Sequence, residues 1–113
     1  MSVASRERVD RILENYLLAL AGLDQCAASA PEEMKVRLTA NVARAERAWS
    51  DAAADGLVDE PAGARAELEA LAEINRRGRE GLHAGLPIAD LLESLEAGTD
   101  RAVRIVEASL SRE

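Results

Sequence analysis

The segment that decides the fold is residues 75–95, which read NRRGREGLHAGLPIADLLESL. One amphipathic helical pattern ends here and another begins, with Gly85 placed to stop the first helix and Pro87 placed in the first turn of the second. The same 21 residues hold three arginines, three glycines and a proline. The break between the two helical patterns predicts a helical hairpin. The composition of the segment raises the question of why helix-weakening residues and arginines occur together.

Two helices are predicted before this hairpin, because apolar residues recur three and four positions apart. The first covers about residues 5–28, with Ser5 as its N-cap. The second covers about residues 31–54, with Ser29 as its N-cap and Glu32 completing a capping box. The break between them is predicted near residues 29–31.

The hairpin itself supplies the third and fourth helices. The third covers about residues 60–83, after a break near residues 56–60 where Gly56 ends the preceding helix and the Asp-Glu-Pro at 59–61 caps the next. The fourth follows the break at residues 84–87, and we expect Gly98 to interrupt it midway.

Four amphipathic helices with short connections predict an all-α protein, an antiparallel four-helix bundle that forms one domain over residues 1–113. In the third helix the polar Asn75 and the small Gly78 occupy seam positions, so the core is expected to weaken there. The predicted core positions lie at helical spacing along one face of each helix: Val9, Ile12, Leu13, Tyr16, Leu17, Leu20, Leu23, Met34, Leu38, Val42, Ala45, Trp49, Ala52, Ala64, Leu68, Leu71, Leu82, Ile88, Leu91, Leu92, Leu95, Ala102, Val103, Val106 and Leu110.

The composition excludes several classes of protein. A formal net charge of −7 argues against nonspecific binding to nucleic acid, which needs a basic face. Tyr16 and Trp49 are the only aromatic residues, so a sheet is not expected. No apolar run is long enough to span a membrane, and the single Cys26 is predicted to be a reduced, buried thiol. We therefore expect a soluble, cytoplasmic protein.

The residues that catalysis requires are scarce in this chain. His83 is the only histidine, so a nucleophile-histidine pair would need Ser94 or Cys26 to fold against it without any local motif. Glu80 precedes His83 at the spacing of a di-iron motif, but a second such pair is missing. We therefore predict that the protein is not an enzyme, with no catalytic, cofactor or metal site, and that His83 lies at the surface.

The predicted functional surface is the end of the third helix, formed by Arg76, Arg77, Gly78, Arg79 and Gly81. Arginines near a helix C-terminus also complement its dipole, which is the simpler explanation. Each glycine inside a helix costs about 0.5 to 1 kcal/mol relative to alanine, however, so we expect that space is needed there for a partner. The arginines would then donate hydrogen bonds to acidic groups of that partner.

Residues 77–98, RGREGLHAGLPIADLLESLEAG, resemble a segment in the helical N-terminal domains of bacterial stress-response regulators of the RsbU and RsbR types and, more distantly, of the PucR-type transcription regulators. The opening RERVDRILENYLLAL is similar to the first helix of the RsbU-type domain. The resemblance implies a noncatalytic helical domain, commonly dimeric, that binds a kinase-like switch protein. This chain differs by an extra helix over residues 31–54, and no phosphatase, anti-anti-sigma or DNA-binding domain follows Glu113. We expect either a piece of a longer regulator or a free-standing relative.

Three functions remain open. The leading hypothesis is a regulatory protein-interaction domain in stress signalling that acts as a homodimer, since alanine-rich helices bury little apolar area and Leu17 and Leu18 widen the apolar face of the first helix. The second is a structural or assembly protein that mainly self-associates. The third is an enzyme or small-ligand carrier, which would require a concave polar pocket.

Overall fold

A computed structural model of the protein describes the backbone of residues 3–55 and 64–110. These residues form four long helices and two turns, which confirms the predicted all-α four-helix bundle. The helices are α1 (Val3–Cys26), α2 (Glu32–Asp55), α3 (Ala64–Ala84) and α4 (Ile88–Leu110).

Two of the three predicted breaks are confirmed. Residues 27–31 separate α1 from α2, and residues 85–87 separate α3 from α4. The third predicted break, with Gly56 and residues 59–61 as its caps, lies outside the described residues.

Three details of the predicted helices are wrong. Ser5 lies inside α1 rather than at its N-cap. The first helical hydrogen bond of α2 runs from the amide of Lys35 to the carbonyl of Pro31 at 3.0 Å, so Ser29 lies before the cap position. The helix α4 continues through Gly98, because one glycine costs a packed helix only about 1 kcal/mol.

The turn between α3 and α4 has the hydrogen bonds of a Schellman motif. The amide of Leu86 donates to the carbonyl of Gly81 at 3.0 Å, and that of Gly85 donates to the carbonyl of Leu82 at 3.3 Å. Gly85 has a φ of +70°, the left-handed conformation that glycine adopts without steric cost. The sequence prediction that Gly85 ends α3 is therefore confirmed.

The four helices form two antiparallel hairpins, and the hairpins pack so that α2 runs parallel to α4. This direction follows from two ion pairs: Arg37 meets Glu96, and Arg44, two turns further along α2, meets Asp100 one turn further along α4. In the described residues α1 and α4 both contact three other helices, whereas α2 and α3 do not contact each other. The bundle is therefore centred on α1 and α4.

Close contact between α1 and α4 depends on two glycines. A Cβ atom on Gly22 of α1 would collide with Leu95 of α4, and one on Gly98 of α4 would lie 2.5 Å from Oδ1 of Asn15 in α1. Between these positions, Nδ2 of Asn15 donates a hydrogen bond to Oγ1 of Thr99 at 3.1 Å. The two helices therefore approach each other closely and share a buried polar contact.

A buried polar layer crosses the middle of the bundle and contains one residue from each helix: Asn15, Asn41, Asn75 and Thr99. The layer separates two apolar clusters. The cluster nearer the two turns contains Leu18, Cys26, Ala30, Leu38, Leu91, Leu92 and Leu95. The other cluster contains Ile12, Ala48, Ala52, Leu71, Ala102, Ile105 and Val106. Of the layer residues, only Asn75 was assigned to the seam from the sequence.

The predicted inner face of α1 is partly wrong. Leu17 and Leu20 are 53% and 37% exposed, while Arg8 and Asn15 are buried. The hydrophobic pattern missed this orientation because polar residues occupy inward positions, which rotates the buried face away from the leucines. The prediction of a buried Cys26 is confirmed.

The two aromatic residues lie at the edge of the core. Tyr16 of α1 and Trp49 of α2 are partly buried, and their rings stack with centroids 5.8 Å apart. Oη of Tyr16 donates a hydrogen bond to Glu46 at 3.2 Å. Desolvation, together with the Glu46 carboxylate, raises the pKa of Tyr16 above its ordinary value.

Two glycine variants should change stability in opposite directions. A Cβ on Gly78 would make ordinary contacts at 3.7 Å or more, so Gly78→Ala should stabilise the fold by about 0.5 to 1 kcal/mol. The Cβ of Gly98→Ala would instead press on Asn15 at 2.5 Å and Ile74 at 3.3 Å, and we expect a loss of about 1 to 3 kcal/mol. Urea denaturation of both variants measures the difference, and shifts of the same sign would contradict this interpretation.

The hydrogen bond within the polar layer should be measurable with an isosteric change. Thr99→Val removes the hydroxyl that accepts from Asn15 and leaves a buried donor unpaired, which should cost about 1 to 3 kcal/mol in the free energy of unfolding. Thr39→Val makes the same change at an exposed position of α2 and should alter stability by less than about 0.5 kcal/mol. Equal effects of the two variants would show that the layer contact adds nothing.

Candidate functional site

Of the residues predicted to form a functional surface, the two glycines lie inside the bundle. Gly78 and Gly81 are buried on α3. The nearest atoms to a Cβ on Gly78 would belong to Leu18 and Leu95, and those to a Cβ on Gly81 would belong to Leu86, at 2.9 Å. Leu86 therefore occupies the space beside Gly81, whereas a Cβ atom would fit at Gly78.

The three arginines of this surface are exposed and paired with carboxylates of the same chain. Arg76 pairs with Glu73 and, at 2.6 Å, with Glu80. The Nε atom of Arg77 lies 3.3 Å from Glu73, while Arg79 reaches across to Glu14 of α1. Exposed pairs of this kind stabilise a fold by about 0 to 1 kcal/mol at most. That these arginines bind a partner stays a prediction.

The pairing also changes the acidity of one carboxyl. The hydrogen bond from Arg76, supported by Arg77, holds the pKa of Glu73 below its ordinary value. Hydrogen bonds from Glu73 and Glu80 in turn raise the pKa of the Arg76 guanidinium. Arg76 thus remains charged and locally neutralised throughout the physiological range.

An open groove lies between α3 and α4, beside the predicted surface and next to the Schellman turn. Its volume is about 560 Å³. Arg77 and Gly81 belong to both the predicted surface and the groove. The residues that line the groove are Ile74, Arg77, Glu80, Gly81, Ala84, Leu86, Asp90, Glu93, Ser94 and Ala97.

The groove has an apolar floor between charged edges. Ile74 and Ala97 lie at one end, and Ala84 and Leu86 lie near the turn. Leu86 is 43% exposed, so it leaves apolar surface open to solvent at this end of the groove. Beyond Ile74 and Ala97 the helices are bridged by an ion pair of 2.8 Å between Arg101 and Glu67.

The charges along the groove are mainly negative. Glu80, Asp90 and Glu93 contribute three carboxylates, and Arg77 contributes the one guanidinium among the lining residues. Glu80 is paired with Arg76, whereas Asp90 and Glu93 form no ion pair within the described residues. Glu93 attracts Arg37 of α2 only over a longer distance.

The sequence did not indicate this groove, although it indicated the segment that contains most of it. Ile74 lies off the helical seam of α3, and Ala97 is one alanine among many. Their proximity depends on how α3 packs against α4. The nearest signal was Leu86, although an apolar residue directly after the capping glycine is also common in a Schellman motif.

Few reactive groups come together in the described residues. They contain no group of three or more His, Cys, Asp and Glu side chains that could hold a metal ion. His83 is exposed in the last turn of α3, as predicted. None of the helices in the described ranges is both long enough and apolar enough to cross a membrane.

Comparisons of the chain with protein-family models, with curated protein sequences and with solved structures find no match. The similarity to RsbU-type and RsbR-type regulators therefore stays a prediction from two short segments. The homodimer and the kinase-like partner that it implies also stay predictions.

The ion pairs of Arg76 predict a change that titration can detect. Arg76→Gln should raise the pKa of Glu73 toward its ordinary value, since it removes the strongest hydrogen bond to that carboxylate. Because the folded-state pKa is lowered, the small stabilisation by this pair is present above the ordinary pKa of glutamate and is lost as the pH falls through the folded-state value. Carboxyl carbon NMR measures the pKa, and Arg47→Gln on α2 should leave it unchanged.

Proposed function

We propose that this protein is a noncatalytic, regulatory protein-interaction domain that binds an apolar segment of a partner protein in the groove between α3 and α4. The observation that supports this proposal is the apolar floor of the groove between charged edges, where Ala84, Leu86 and Ala97 are exposed and Ile74 is partly buried. Such a surface is typical of grooves that bind a helix of another protein.

The groove is a better candidate than the arginines alone. A partner that bound Arg76 or Arg79 would have to compete with Glu73, Glu80 or Glu14 for the same donors. Replacing one exposed ion pair by another contributes little to affinity. Covering Leu86 and its apolar neighbours removes hydrocarbon surface from water, at about 25 cal/mol for each Å².

A second, smaller groove lies between α2 and α4 and has a volume of about 400 Å³. It offers a partner less apolar surface than the α3/α4 groove does. The Arg44–Asp100 ion pair lies at its edge, and further charged residues of both signs, Arg47 and Glu107 among them, line it. Its apolar lining consists of Ala48 and Val106, which are already buried, and Val103, which is partly buried. It therefore leaves less apolar area for a partner to cover than the α3/α4 groove does.

The proposal predicts that a bulky side chain in the groove prevents partner binding. Ala97→Tyr places a ring in the groove from an exposed position of α4, while Ala43→Tyr makes the same change on α2, outside the groove. The wild-type chain and the Ala43 variant should recover the same protein from cells of the source organism, and the Ala97 variant should lose it. Mass spectrometry identifies the protein, and purified components then confirm direct binding.

Recovery of the same protein by both variants would contradict the proposal, as would recovery of nothing except further copies of this chain. The second result would favour the structural or assembly function. Matched melting curves for the two variants ensure that a loss of binding is not a loss of folding.

A further inference from the structure

We infer that the occupant of the α3/α4 groove is a short amphipathic helix whose apolar face is flanked by lysine or arginine. This inference rests on the proposed function, because it names the chemistry of the partner at the same groove. The shape of the groove supports a helix, and its unpaired carboxylates support basic flanks.

The groove has the length that a helix of two to three turns requires. From Asp90 to Ala97 the axis of α4 rises about 10 Å, and from Ile74 to Ala84 that of α3 rises about 15 Å. The floor includes the exposed Ala84 and Ala97, whose small side chains allow another helix backbone to approach closely. A bound helix would lie as a fifth member of the bundle, with its apolar side chains against Ile74 and Leu86.

The charges on the edges favour a cationic partner. Asp90 and Glu93 project from the α4 side without an ion-pair partner in the described ranges, so no internal cation has to be displaced. On the α3 side Glu80 is paired with Arg76, and Arg77 is the one cationic residue among those that line the groove. A basic residue beside the apolar face of the partner would therefore meet two carboxylates along α4 that form no ion pair in the described residues.

The same charges argue against other occupants of an apolar groove. An anionic membrane surface and nucleic acid would both be repelled by these carboxylates and by a net charge of −7 over the whole chain. An acidic helix would place like charges opposite Asp90 and Glu93. A basic amphipathic helix is the occupant that satisfies both the apolar floor and the acidic edge.

Two synthetic peptides of 14 residues test this inference with the full chain. Both carry leucines on one helical face; one has lysine at every flanking position and the other has glutamate. Fluorescence anisotropy should show that the lysine peptide binds at least tenfold more tightly at low salt, with a preference that shrinks as salt is added. NMR chemical-shift mapping should place it beside Ile74, Ala84 and Ala97.

Two pairs of variants separate the contributions of charge and shape. Asp90→Asn with Glu93→Gln should weaken binding of the lysine peptide about fivefold or more, whereas Asp24→Asn with Glu69→Gln removes the same charge from exposed positions outside the groove and should have less than a twofold effect. Ala97→Tyr should prevent binding of either peptide, and Ala43→Tyr should not.

Each unfavourable outcome has a separate meaning. If both peptides bind equally and Ala97→Tyr blocks both, the groove is a docking site but the basic partner is wrong. If the two charge-removing pairs weaken binding equally, the attraction is nonspecific and the inference fails. If neither peptide binds, the inference fails, while the capture experiment with Ala97→Tyr still decides whether the groove binds a partner at all.

Discussion

The close contact between α1 and α4 determines how the rest of the bundle is arranged. Because Gly22 and Gly98 have no Cβ atom, Leu95 and Asn15 of the facing helix can pack directly against them. The approach brings Asn15 within hydrogen-bond distance of Thr99, and the pair is buried where water cannot substitute for either partner. A shift of one helix along the other would separate this donor and acceptor, so the contact sets the register of the two helices.

The other two helices are positioned by this central pair. Both α2 and α3 pack against α1 and α4, and in the described residues they have no contact with each other. Ion pairs from Arg37 to Glu96 and from Arg101 to Glu67 join α4 to its neighbours on either side. The candidate groove lies between α3 and α4, at the surface of this arrangement.

Much of the fold could be predicted because its signals are local. The glycine that ends α3 and the prolines beside the two described turns act within a few residues of their position, so the breaks were found correctly. The polar layer could not be predicted, since Asn15 is acceptable inside the bundle only when Thr99, 84 residues away, accepts its hydrogen bond. A prediction from hydrophobicity alone assigns Leu17 to the core and does not include Asn15, because it cannot take account of the hydrogen bond to Thr99.

Of the five residues predicted to form the functional surface, only Arg77 and Gly81 line the candidate groove. Two of the three glycines in this segment have reasons within the chain: Gly81 makes room for Leu86, and Gly85 adopts a left-handed turn, whereas a Cβ atom would fit at Gly78. Gly81 and Gly85 are therefore not evidence for a partner.

The turn between α3 and α4 nevertheless connects the glycines with the candidate groove. The Schellman motif that needs Gly85 also carries Leu86 to the end of the groove, against Gly81. The arginines, for their part, are neutralised by Glu73, Glu80 and Glu14, whereas Asp90 and Glu93 on the facing helix have no ion pair in the described residues. The charge that remains available to a partner is therefore negative, although the predicted surface on α3 contains three arginines.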